Sequence, residues 1–79
     1  MKLNLDAAYY VSSKVAKLGV VGRDFRGDVK FCAVTQRRDV QSPLQAKLLA
    51  VLFGMEIARE HNFQAVYLEM DSKLTAIEI

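Results

Sequence analysis

Seventy-nine residues, 52% apolar and 25% charged, with one proline and four glycines, describe a single small folded unit and exclude disordered and low-complexity classes. The formal charge of +2 hides an asymmetry, because residues 1–38 carry eight Lys and Arg against three Asp while residues 39–79 carry three against six Asp and Glu. A basic half suits a polyanion, although a solvated hairpin face has the same composition. Cys32 stands alone, which leaves no internal disulfide and fits a reducing compartment. No apolar run is long enough for a membrane span and Met1-Lys2-Leu3-Asn4 lacks the layout of a secretory leader, so an intracellular protein is expected, with nucleus and cytoplasm indistinguishable.

Residues 2–6 alternate, Leu3 and Leu5 against Asn4 and Asp6, as a short strand does. Ser12, Ser13 and Lys14 then mark a loop or bend. Tyr9 and Tyr10, just before it, are candidates either for stacking on bases or for packing in the small core. Residues 17–24 and 29–36 read as two strands of an antiparallel hairpin around Phe25-Arg26-Gly27-Asp28. The second arm sets Phe31, Ala33 and Thr35 against Lys30, Cys32, Val34 and Gln36. Both faces are partly apolar, so cover on both sides is expected. Arg37 and Arg38, with Lys14 and Lys17, are the candidate nucleic-acid contacts; for the arginine pair a solvated linker is the competing role.

Ser42-Pro43-Leu44-Gln45 is a capping box with proline in the first helical position, so a helix runs from there to about residue 62. Its spacing gathers Ala46, Lys47, Ala50, Val51, Gly54, Ile57 and Ala58 on one side, small enough to lie close against a sheet. Lys47 is the exception there, and an inward ammonium near a helix start calls for an anion opposite it. Leu49, Leu52 and Phe53 on the far side, among Gln45, Glu56, Arg59 and Glu60, are too apolar for a plain solvent face and predict a covering element or partner. His61 and Asn62 close the helix, the histidine interacting with its dipole and lacking any metal-ligand spacing.

Residues 65–70 form another strand, with Val66 and Leu68 facing away from Tyr67, Glu69 and Asp71. Residues 73–79 then read as a second helix capped by Ser72. Strand, hairpin, crossover helix and strand make an α/β mixed sheet, three strands antiparallel and a fourth returning parallel beside the first. That layout sets Asp6 and Asp71 on adjacent strands with Lys47 reaching toward them. Two carboxylates so placed are a standard way of holding a divalent metal, though most aspartates at strand ends form turns.

Four segments, Lys2-Leu3-Asn4-Leu5-Asp6-Ala7-Ala8, then Gly19-Val20-Val21-Gly22-Arg23-Asp24 with Gly27, then Ser42-Pro43-Leu44-Gln45-Ala46, and Leu68-Glu69-Met70-Asp71-Ser72, agree in order and spacing with one family. They resemble the reverse-transcriptase-like ribonuclease H domains abundant in plant genomes. The resemblance spans residues 1–79 as a single domain and corresponds to the N-terminal two-thirds of such a domain, stopping before its fifth strand. It implies a ribonuclease H-like fold and Mg²⁺-dependent endonucleolytic hydrolysis of the RNA in RNA–DNA hybrids, with Mn²⁺ as a substitute ion.

In the same resemblance Asp6 matches the first-strand aspartate and Asp71 the aspartate closing the fourth strand, both metal ligands, with Glu69 as a candidate replacement ligand. Lys47 stands where the family has a glutamate. The resemblance therefore implies a nucleic-acid-binding domain whose catalysis is impaired, Lys47 occupying the space of one metal and pairing with Asp6 and Asp71. The alternative is a non-catalytic scaffold or protein-interaction domain that keeps only the fold. The uncovered edge beside residues 65–70 predicts homodimerisation or marginal stability.

Overall fold

The computed structural model describes residues 1–70 and Thr75–Ile77. Strand β1, Lys2–Tyr10, alternates strictly. Leu3, Leu5, Ala7 and Tyr9 are buried on one face, and Lys2, Asn4, Asp6, Ala8 and Tyr10 stand on the other. The strand runs four residues beyond Asp6 because Ala7 and Tyr9 continue the inward series. The Tyr9 hydroxyl donates to the buried Val40 carbonyl, so that ring belongs to the core.

Strands β2, Val15–Arg23, and β3, Val29–Arg37, form the expected hairpin, with β2 beginning two residues earlier than the composition indicated. Its turn is held by Asp24, whose Oδ1 accepts from the Arg26 and Asp28 amides at 2.9 and 3.0 Å. Gly27 supplies the left-handed backbone, φ +88°. The ladder slips between Gly22 and Arg23, next to the turn.

Helix α1, Pro43–Glu60, starts where the capping box placed it, the Ser42 Oγ accepting from the Gln45 amide at 3.1 Å. The reciprocal bond lands one residue earlier than expected, Gln45 Oε1 accepting from the Gln41 amide at 2.6 Å. Ala46, Ala50, Gly54, Ile57 and Ala58 form the buried face. The N-terminal half packs on Ala7, Tyr9, Ala16, Leu18 and Val40, and the C-terminal half on Leu3, Leu5 and Val20. The outer face differs from expectation. Leu49 and Phe53 tuck partly against the core, and the exposed apolar row is Leu44, Leu48, Leu52 and Met55, spaced four, four and three residues apart.

The described strands order as β3-β2-β1-β4, where β4, Tyr67–Met70, lies parallel to β1 from Lys2↔Tyr67 to Leu5↔Met70. The mixed α/β sheet with its crossover helix is thus present. One expectation is corrected. The predicted second helix is absent at Thr75–Ile77, which is instead a short strand, β5, pairing parallel with β1 at Ala8, Tyr9 and Tyr10. A β-branched Thr and Ile favour extended backbone, and β1 has an open edge there because its pairing with β4 ends at Leu5. Thr75–Ile77 thus continues the lane of β4 along β1 and adds no strand beyond β4. Asp71 and Ser72 lie outside the described residues. Among those residues α1 covers one face of the sheet and nothing covers the other.

Candidate nucleic-acid interface

Asp6 belongs to the uncovered face. It pairs in register with Gly19, which pairs with Val34, and no heavy atom stands within 4 Å of where a Cβ on Gly19 would be. The missing side chain leaves an open groove of about 560 Å³ lined by Asp6, Lys17, Leu18, Gly19, Val34, Thr35 and Gln36. Val34, 85% exposed, forms its apolar wall. The Asp6 Oδ1 accepts from the Ala7 amide at 2.9 Å, and the carboxylate has no cationic partner among the described residues.

Lys47 is half-buried on α1, which covers the opposite face. The expected pairing of Lys47 with Asp6 is therefore not formed. The cause is the two-residue period of β1: with Leu5 and Ala7 packed under the helix, the residue between them must point away from it. Asp71, the other expected acid, lies outside the described residues; the β1–β4 ladder ends at Leu5↔Met70, one position before it.

Glu69 shares the face of Asp6 but is already engaged. Its Oε2 pairs with the Lys2 ammonium and accepts from Asn4 Nδ2 at 3.3 Å. The Lys2 ammonium, by hydrogen bond and by charge, holds the Glu69 carboxyl below its ordinary range. Among the described residues no group of three or more His, Cys, Asp or Glu is placed to hold a metal ion. Magnesium and manganese need several oxygen ligands. The described side chains, one uncommitted carboxylate and one neutralised by lysine, do not fit such an ion by themselves.

The cations are more telling. Of the eight Lys and Arg in residues 1–38, Lys2 pairs with Glu69 and Lys30 with Asp24 at 3.5 Å. Lys14, Lys17, Arg23, Arg26, Arg37 and Arg38 meet no carboxylate among the described residues. The four expected contacts gather at one end of the sheet: Lys14 in the β1–β2 turn, Lys17 at the start of β2, Arg37 closing β3 and Arg38 just after it. A bond from the Val40 amide to the Lys14 carbonyl, 2.9 Å, ties the two connections together.

They do not share one face. Lys17 rises on the groove side, 5.3 Å from the Tyr10 ring centre, whereas Arg37 is on the helix side and donates to Thr35 Oγ1 at 2.8 Å. Arg23 and Arg26, outside the set of expected contacts, stand at the other end on either side of Phe25.

A three-stranded antiparallel sheet joined through a crossover helix to a parallel fourth strand is the layout of ribonuclease H-like α/β domains. The family model described as reverse transcriptase-like matches residues 4–77, and the chain belongs to that family of ribonuclease H-like domains. No curated protein and no solved structure matches the chain. Among the described residues no helix is long and apolar enough to cross a membrane.

Proposed function

We propose that this domain binds nucleic acid, RNA–DNA hybrid in particular, and that its capacity to cleave the RNA strand is impaired. The observation that carries the reading is the set of six Lys and Arg without carboxylate partners among the described residues, on a chain of the reverse transcriptase-like family. A-form hybrids would be held through phosphates and 2′-hydroxyls, contacts that guanidinium and ammonium groups make without reading sequence. In this reading Asp6 and Asp71 are what remains of the family's acidic site, and Lys47 takes the place of its glutamate. What supports the impairment is the poverty of acids around Asp6: Glu69 on the same face is held by Lys2, and Lys47, on the helix side, brings no carboxylate to them.

The test is a hybrid-cleavage assay in Mg²⁺ or Mn²⁺ beside a binding titration at several salt concentrations. Salt-sensitive binding without cleavage is expected. Efficient cleavage overturns the impairment, and binding that is absent at low salt overturns the nucleic-acid reading.

The exposed row Leu44, Leu48, Leu52 and Met55 favours a second reading, a scaffold that binds protein through α1. The outer edge of β4, unpaired among the described residues, is the place where a second copy would add to the sheet. Sedimentation over a range of concentrations tests that homodimer.

A further inference from the structure

The end of the sheet farthest from Lys14 and Arg38 carries two aromatic rings that take almost no part in the core. Phe25, in the hairpin turn, is 92% exposed, and Tyr67, opening β4, is 79% exposed. A depression of about 350 Å³ runs between them, lined by Met1, Lys2, Arg23, Asp24, Phe25, Gly27 and Tyr67. Tyr67 is fixed at this spot by the hydrogen bond its backbone N–H donates to the Met1 carbonyl, 3.0 Å, and by its register opposite Lys2.

The charge around the rings is arranged to leave cations over. Arg23 donates to the Gly27 carbonyl at 3.2 Å and Arg26 lies 5.7 Å from the Phe25 ring centre; neither meets a carboxylate among the described residues. Two of the three nearby acids are engaged, while Asp28, in the same turn, forms no ion pair among the described residues and leaves four Lys and Arg against it and those two. Asp24 turns its carboxylate to the Arg26 and Asp28 amides and to Lys30, and Glu69 is held by Lys2 and Asn4.

Exposed rings beside guanidiniums that meet no carboxylate among the described residues suit a single nucleic-acid strand, since every base has a face to stack and every linkage a phosphate to neutralise. We infer that Phe25 and Tyr67 form a stacking site for unpaired bases, with Arg23 and Arg26 meeting the phosphates between them. The inference rests on the nucleic-acid reading above and adds a second subsite to it. The site lies on the same sheet face as Asp6 and four residues along β1 from it, roughly 13 Å, so one strand spans both. A protein partner would have use for the same rings and guanidiniums, so the choice of a nucleic-acid strand rests on the nucleic-acid reading above.

The experiment compares fluorescence anisotropy of two labelled RNA–DNA hybrids at one fixed low salt concentration, one blunt and one with a single-stranded DNA extension. The unmodified chain is expected to bind the extended hybrid about five-fold or more tightly than the blunt one. Phe25→Ala and Tyr67→Ala should each remove most of that advantage while leaving the blunt affinity unchanged, and Tyr67→Phe, which keeps the ring, should retain it. Equal affinity of the unmodified chain for both hybrids overturns the stacking site and leaves the nucleic-acid reading standing. Alanine variants that weaken both hybrids alike also overturn it. Binding to neither hybrid overturns both.

Discussion

A Cβ built on Gly54 would stand 2.5 Å from Leu5 Cδ2, so α1 lies close enough on β1 that any larger residue must displace the end of the Leu5 side chain. Leu5 is 3% exposed, so that displacement would fall within the packed core. Gly54→Ala gains about 1 kcal/mol of helix preference but overpacks the core by about 1–3 kcal/mol, and the second effect is expected to win. Urea unfolding should show a lower midpoint for the variant. A midpoint equal to or above that of the parent chain would show that helix and strand are farther apart than described here.

Lys47 and Asp6 are separated by the sheet itself, which changes what replacing the lysine should do. Millimolar Mg²⁺ is expected to leave the NMR signals of Asp6 unmoved both in the parent chain and in Lys47→Glu. The new carboxylate would face the helix side while Asp6 faces the groove. Mg²⁺-dependent shifts at Asp6 appearing only in the variant would place the two residues on one side after all.

Phosphate contacts leave a signature in salt. Replacing Lys14, Lys17 and Arg38 together by Gln should flatten the dependence of log K on log salt by about two to three units and weaken hybrids and single strands alike. Arg37 is left in place because its bonds to Thr35 and Gln36 give it a part in holding β3. An unchanged slope would mean that these residues touch no phosphate.

Acid should weaken the fold through two carboxyls. For Asp24, partial burial acts to raise the pKa, but the Asp28 and Arg26 amides and the Lys30 ammonium outweigh it and hold the group below its ordinary range; Lys2 does the same for Glu69. Because both folded values lie below the unfolded ones, their stabilisation is complete above the usual carboxylate pKa of about 4 and disappears as pH falls through the depressed values. Thermal midpoints should be flat from neutrality to about pH 5 and decline below about pH 4. The decline should be smaller in Asp24→Asn/Glu69→Gln, and a variant that declines as steeply as the parent would rule these two groups out.

Much of the architecture was legible because its causes are local. The serine cap, the following proline and the small-residue face of α1 specify a helix that packs closely, whatever it packs on. Alternation in β1 to β3 and the Asp24–Gly27 turn are likewise set by neighbours in the chain. Thr75–Ile77 was misread as helix for the complementary reason. Its residues carry a serviceable helix pattern, and the open stretch of β1 beside Ala8–Tyr10, which draws Thr75–Ile77 into the sheet, is visible only in three dimensions.

The same division holds for the candidate site. By itself the sequence determined which groups are available, a basic first half, Asp6, and a lysine where the family has an acid, since composition and order are properties of the chain alone. Which of them meet was decided only in the tertiary structure. The pleat of β1 turns Asp6 away from the helix that carries Lys47, and the folding of the hairpin beside β4 brings Phe25 and Tyr67 to one depression from 42 residues apart, because burying Leu3, Leu5 and Ala7 leaves their neighbours no other face.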